Sequence, residues 1–265
     1  MSSVKILVTN DDGVASPGLL ALADVMRALG DVWVVAPDRE RNAVGHALTL
    51  HKPLRVTRVA RQMFSVNGTP TDCVNLALKK LMSTQPKLLV SGINRGVNLG
   101  DDVTYSGTVS AALEGTIMGI PSIAVSQEGD EEFRFEAAAA YAVRIAKIVL
   151  KHGLPAETLL NVNVPNRPLK SIRGVKFAPL SRRRFDDPIV EKRDPRGRTY
   201  YWIAGTRMSW NRHTNSDYDA VREGRVAITP IHLDVTHHAA LDLLRHWEAL
   251  INGRSQARRH RAGRR

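Results

Sequence analysis

The sequence predicts an α/β fold built on a mainly parallel sheet with helices on both faces. Three observations predict it. Short, nearly continuous apolar runs recur, among them Val4-Lys5-Ile6-Leu7-Val8, Lys87-Leu88-Leu89-Val90-Ser91 and Ser122-Ile123-Ala124-Val125-Ser126. Strands covered on both faces read this way. Helical stretches long enough for parallel crossovers separate them. Polar loops rich in Asp, Asn and Gly follow the strands, where ligands bind in open α/β sheets.

The elements follow in order. Val4–Val8 is the first strand. Pro17 to Met26 is a helix with proline in its first turn, the one helical position where a missing N–H costs nothing. Asp31 to Ala36 is a strand closed by Pro37, and Leu54–Val56 and Met63–Val66 are short strands of a hairpin side layer. Thr71 to Met82 reads as a helix, Lys87–Ser91 as a buried strand, Thr108 to Met118 as a helix and Ser122–Ser126 as a strand. Phe133 to Lys151 is a long Ala-rich helix, and Leu160–Val164 closes the series before Pro165. Residues 1–165 therefore read as the core. From 166 the chain changes to basic, Pro- and Gly-containing segments, and 166–203 is expected to be a β-rich excursion from that core. Arg225 to Ile231 reads as a closing strand and His237 to Ile251 as one amphipathic helix. Residues 166–253 are thus expected to form a second region. The Arg-rich stretch 254–265 is expected to be a disordered tail.

At 265 residues, with 43% apolar and 24% charged residues, the chain suits a soluble globular protein with a substantial core. No run approaches the roughly 20 apolar residues of a membrane span, and the first strand follows Met1 almost at once. The expectation is a cytoplasmic protein with no membrane partner. Cys73 is the only cysteine, so no intrachain disulfide forms; it is expected to pack in the core. The net charge of +12 raises the question of nucleic acid. Six arginines and no acid lie in 254–265, and a second basic stretch runs from Arg167 to Arg198 around Arg182-Arg183-Arg184. Neither interleaves the aromatics that stack on bases, so no dedicated nucleic-acid partner is expected. A basic protein that uses the α/β core as scaffold is the rival reading, and it predicts salt-sensitive binding through the tail.

Asn10-Asp11-Asp12-Gly13 carries the most chemistry. Two adjacent carboxylates at a strand's C-terminal end repel, and a hard divalent cation offsets that repulsion most simply. Asn94, in Gly92-Ile93-Asn94-Arg95, and Asn42, in Pro37-Asp38-Arg39-Glu40-Arg41-Asn42, follow other strands and supply further oxygen ligands. The set Asp11, Asp12, Asn42 and Asn94 favours Mg²⁺, Mn²⁺ or Ca²⁺ over zinc, because no Cys or His joins it. Each piece has a plainer reading: Asn-Asp-Asp-Gly as a turn, Asn94 and Asn98 as loop-stabilising, and Asp101-Asp102 as a helix cap or support. Ser106, Gly107 and Thr108 open a helix and offer backbone N–H groups, two hydroxyls and the positive dipole end, a phosphate cradle or a simple N-cap. Asn67 to Asp72 opens another helix as substrate contact or cap. There is no Walker loop and no Gly-x-Gly-x-x-Gly after the first strand, which disfavours an NTPase or a dinucleotide oxidoreductase. His46, His232, His237 and His238 are candidate proton donors.

Taken together, Asn10–Gly13, Ala36–Arg39, Gly68–Cys73, Ser91–Asn94, Asn98–Val103, Tyr105–Thr108, Asp194–Gly197 and Thr229–His232 resemble the SurE stationary-phase survival nucleotidases. The match runs in order from residue 4 to about 250. The resemblance implies a Rossmann-like core and a phosphomonoesterase that uses Mg²⁺ or Mn²⁺ to hydrolyse nucleoside 5′- and 3′-monophosphates. It implies metal ligands at Asp11, Asp12, Asn94 and Asn42, the last at a position where many members carry Ser. Asp11 and Asp12 are then the candidate catalytic residues, and Asn98, Ser106, Gly107 and Thr108 the candidate phosphate-binding ones. It also implies a homodimer or homotetramer, with the C-terminal part exchanged or projecting between subunits. Polyphosphate and other small phosphate esters are alternative substrates for the same chemistry.

Overall fold

The computed structural model describes residues 4–129, 133–184, 189–203, 209–211 and 215–252. The expected tail at 254–265 lies outside them. The strands are β1 (Lys5–Thr9), β2 (Asp31–Pro37), β3 (Val56–Ala60), β4 (Met63–Val66), β5 (Leu88–Arg95), β6 (Ser122–Gln127), β7 (Thr158–Val164), β8 (Val175–Phe177), β9 (Arg182–Arg184), β10 (Ile189–Arg193), β11 (Thr199–Ile203), β12 (Ser209–Asn211) and β13 (Val226–His232). The α-helices are α1 (Pro17–Met26), α2 (Pro70–Leu76), α3 (Gly107–Ile117), α4 (Glu136–His152), α5 (Asp217–Arg222), α6 (His238–Leu244) and α7 (Trp247–Ile251).

Nine strands form one sheet in the order β3-β4-β2-β1-β5-β6-β7-β13-β8. The centre, β2-β1-β5-β6-β7, is parallel throughout, with Val8 beside Val34 and Val90 and Ser91 beside Ala124. The C-terminal ends of these strands consequently share one rim. β13 runs antiparallel to β7, and β8 parallel to β13. These strands from beyond residue 165 continue the same sheet. β10 and β11 form the hairpin of the β-rich excursion, turned at Asp194, whose carboxylate accepts from the Arg196 and Arg198 amides at 2.8 and 2.9 Å.

Two apolar layers hold the sheet. On one face Leu19, Leu22 and Met26 of α1 and Ala138, Tyr141, Ala142, Ile145 and Val149 of α4 cover Ile6, Val8, Val90 and Ile123. On the other, Cys73 and Val74 of α2 and Val109, Ala111 and Ala112 of α3 cover Leu7, Val35, Leu89 and Ala124. Each fully buried Leu or Ile stabilises the fold by about 1.5–3 kcal/mol. Cys73 sits here as a small apolar side chain, its thiol pKa raised by burial.

Local signals set the helix ends. Ser16 caps α1 ahead of Pro17. Thr69 and Asp72 form a reciprocal capping box for α2, which gives the Asn67–Asp72 turn its capping role. The expected helix from Thr71 to Met82 ends as an α-helix at Leu76 and continues as a π-helical turn, Ala77–Leu81. The chain forms two compact units, Met1–Leu233 and Asp234–Arg265. In the second, the single helix expected over 237–251 is instead two, α6 and α7, interrupted at Arg245-His246. Among the described residues no helix is long and apolar enough to cross a membrane.

Candidate active site

Asp11 and Asp12 leave the end of β1 at the centre of the rim. Gly13 adopts φ +99°, and a β-carbon there would stand 3.1 Å from the backbone carbonyl carbon of Arg39. Glycine therefore lets the loop after β2 close over the Asp pair, and the Arg41 amide donates to the Asp11 carbonyl at 2.8 Å. Asn10 braces the turn from within, donating to Ser16 Oγ at 2.7 Å and to the Gly13 carbonyl at 3.2 Å.

Asp11 is buried, and α3 points its N-terminus at it. The Thr108 hydroxyl donates to Asp11 Oδ1, the Thr108 amide lies in reach, and Gly107 packs directly on the side chain. A carboxylate at a helix N-terminus satisfies N–H groups that have no intrahelical partner. Burial still raises the Asp11 pKa, with the Thr108 bonds pulling it back. Asp12 is pushed up to about 6, first by burial and then by the Asp11 charge; the Arg95 amide and guanidinium oppose the shift. Its Oδ2 is buried and accepts no hydrogen bond.

Asp12, Asp38, Arg39, Glu40, Asn42 and Arg95 line one cavity of about 350 Å³. Asn94 stands at the end of β5, after a register irregularity and a cis Gly92–Ile93 peptide. Its amide nitrogen donates to the Gly96 carbonyl at 2.9 Å, and its Oδ1 accepts no hydrogen bond among the described residues. Asn42 is exposed on the loop after β2 and donates to Glu40. Asp11, Asp12 and Asn94 thus gather on adjacent strand ends, while Asn42 shares the cavity with Asp12. Among the described residues no three His, Cys, Asp or Glu cluster to hold a metal, so any cation here meets a mixed Asp and Asn donor set.

The candidate phosphate-binding residues divide. Ser106 caps α3, accepting from the Val109 amide at 3.1 Å, and keeps its own hydroxyl proton. Gly107 and Thr108 serve Asp11. Asn98 belongs to a buried polar seam: its side chain donates to Ser126 Oγ at 2.7 Å, and its backbone is clasped by Asn161 and Asn163. That seam anchors the loop before α3. Two asparagines spaced i, i+2 in the apolar strand β7 were its visible signal. Asp101 lies 3.9 Å from Arg182.

The histidines stand elsewhere. His232 pairs in register with Thr158, at the start of β7 and so on the rim opposite Asp11. His237 caps α6 and His238 pairs with Asp234, both in the second unit. His46 bonds Glu114 of α3 at 2.7 Å, and Asn75 holds the other Glu114 oxygen. With Thr49 donating to Asp72 and Thr69 to the Ala47 carbonyl, this ties the long loop after β2 onto α2 and α3.

Comparison with known proteins accords with this geometry. The family model described as "Survival protein SurE" matches residues 6–187, more than half of the chain.

The chain belongs to the SurE family.

It is 54% identical to the 5'-nucleotidase SurE of Geotalea uraniireducens over 92% of this chain and 99% of that one. It is likewise 54% identical to the 5'-nucleotidase SurE of Geobacter sulfurreducens, over 92% and 94%. Among solved structures it is similar to the SurE protein from Aquifex aeolicus, with a TM-score of 0.83 at 42% identity, over 92% of this chain and 99% of that one. The fold is therefore that of SurE: a Rossmann-like sheet, with the Asp11–Asp12 loop at the C-terminal rim of its parallel strands.

Proposed function

We propose that this SurE-family chain is a divalent-metal-dependent phosphomonoesterase that hydrolyses nucleoside 5′-monophosphates, and 3′-monophosphates, to nucleoside and phosphate. The observation that carries the reading is Asp12, which lines the rim cavity while its buried Oδ2 has no partner. A buried carboxylate oxygen without a hydrogen bond costs about 1–3 kcal/mol or more, and a hard cation removes that cost. The donor set fits Mg²⁺ or Mn²⁺: Asp11, Asp12 and the Oδ1 of Asn94 would hold the ion, with Asn42 from the same cavity. A bound divalent cation supplies neutralisation of phosphoryl charge and a more acidic water.

The protein's own residues do the rest. Thr108 and the α3 N-terminus fix Asp11 in one orientation. Asp11 or Asp12 orients the attacking water and takes up its proton. The Ser106 hydroxyl has a proton to give a phosphoryl oxygen. Positioning and electrostatics suffice for phosphoryl transfer.

The test is phosphate release from nucleoside monophosphates, polyphosphate and an aryl phosphate, with Mn²⁺, Mg²⁺ or EDTA. Metal-dependent release favouring monophosphates supports the reading; preference for polyphosphate would replace the substrate, and no release with either metal would overturn it. Asp12→Asn is expected to remove metal-dependent turnover without unfolding the protein.

A further inference from the structure

Arg95 ends β5 with its backbone locked in the sheet: it pairs with Gln127, and the next amide, Gly96, donates to the Gln127 carbonyl at 2.9 Å. Its side chain is exposed and lines the cavity that holds Asp12. Among the described residues it makes no ion pair and no side-chain hydrogen bond, although Asp12, Asp38 and Glu40 line the same cavity. Its guanidinium instead lies 5.8 Å from the Phe133 ring centroid. Phe133 stacks on Phe135 at 5.9 Å and 11°. Phe135 is packed against the core at Gly18 of α1, where a β-carbon would meet its ring at 3.2 Å. A line of contacts therefore runs from the core through two aromatic rings to a cation that lines the cavity.

An arginine that makes no ion pair among the described residues and lies over an aromatic ring is matched to an oxyanion. Its planar fork presents parallel N–H donors to two oxygens, and the aromatic face fixes the group at little cost in donors. A phosphomonoester is the anion the proposed reaction brings.

We propose that Arg95 binds the phosphoryl oxygens of the substrate directly, as the protein's own cation in the site, and that Phe133, braced by Phe135, is the residue that positions it. This rests on the phosphomonoesterase reading. Arg95 then contributes charge stabilisation beside that of any bound metal, and its contact is with the phosphoryl group rather than the base. All phosphomonoesters should feel its loss alike.

The experiment compares wild type, Arg95→Lys, Arg95→Met, Phe133→Leu and Phe133→Tyr. Steady-state kinetics are measured on AMP and on an aryl phosphate, with inhibition by inorganic phosphate and Mn²⁺ binding by calorimetry. Arg95→Met is expected to lose about 10- to 100-fold in kcat/KM on both substrates, the loss typical of a charged hydrogen-bonding partner. Its inhibition constant for phosphate is expected to rise about tenfold or more on the same grounds. The melting temperature should stay near wild type, and Arg95→Lys, which keeps the charge beside Asp12, should keep Mn²⁺ affinity and recover part of the loss. Phe133→Leu should weaken phosphate inhibition and raise KM more than it lowers kcat, with Phe133→Tyr restoring both. The proposal is overturned if Arg95→Met inhibits and turns over like wild type, or if the loss appears on AMP alone, which would make Arg95 a base contact. A wild type inactive on every ester would instead defeat the functional reading itself.

Discussion

The contact between Gly107 and Asp11 makes Gly107→Ala a sharp test of how the site is built. An alanine β-carbon would stand 2.8 Å from both Cβ and Oδ2 of Asp11 and 3.1 Å from Cγ. Ordinary contact begins near 3.4 Å, so Asp11 must retreat by about 0.6 Å. It cannot do so freely, because Thr108 holds its carboxyl and the Arg41 amide its backbone. Catalytic groups tolerate about 0.5 Å, and a displacement of 1 Å costs on the order of 100-fold. The expected loss in kcat/KM is therefore about 10- to 100-fold, or roughly 1.4–2.7 kcal/mol of barrier. Stability changes less: overpacking costs about 1–3 kcal/mol, against up to about 1 kcal/mol gained by alanine over glycine in a helix. Metal-dependent phosphate release from AMP and a thermal melt measure both. Gly115→Ala on the same helix is the control, since its β-carbon meets Leu89 and Ser122 in the core, at 2.7 and 2.5 Å. It should lower the melting temperature while folded molecules keep their activity. Full activity in a folded Gly107→Ala protein would refute the idea that α3 sets the position of Asp11.

Other outcomes follow from the same site. With Asp12 raised from 3.8 to about 6, the fold favours its protonated form. The stability this contributes is full below about pH 3.8 and lost as pH rises through about 6, so in EDTA the melting temperature should fall across that window. Mg²⁺ or Mn²⁺ should reverse the fall at neutral pH; pH-independent melts in EDTA would contradict this. Thr108→Val removes a hydroxyl that lowers the Asp11 pKa, so the pH at which Mn²⁺ binding is half lost should move upward in calorimetry. His46→Ala leaves buried Glu114 without the bond that most lowers its pKa. It should cost about 1–3 kcal/mol above pH 4.5, seen as a lower denaturant midpoint; Glu114→Gln in the His46→Ala background should recover part of that loss.

The parallel core was legible because its strands are apolar on both faces and its helices carry local caps. Ser16-Pro17 and Thr69-Pro70 announce α1 and α2 without tertiary help. The rim position of Asp11 and Asp12 followed from the rule that ligands gather at strand C-termini. The polar seam was not legible in the same way, since Asn98 meets Asn163 across 65 residues of chain. Nor did composition show that Thr108 would spend its hydroxyl on Asp11, since a helix N-terminus reads alike whether a substrate or a side chain faces it. The break between α6 and α7 and the π-helical turn after Leu76 escaped because apolar periodicity continues through both.

Asp217 ties the loop before α3 to the chain that follows β8. Fully buried at the start of α5, it accepts the Gly100 amide at 2.9 Å and the Ser181 amide at 2.8 Å. The first of these partners precedes it by 117 residues. At a synthesis rate of about 5–20 residues per second, roughly 6–23 s separate the emergence of the two ends of that bond. β1 and β5 are available when that interval begins and α3 soon after, yet the segment leading into Ser106 lacks its anchor. A growing chain therefore holds its acidic loop and its helix before it holds the clamp that fixes their approach, and the rim is completed from the C-terminal side.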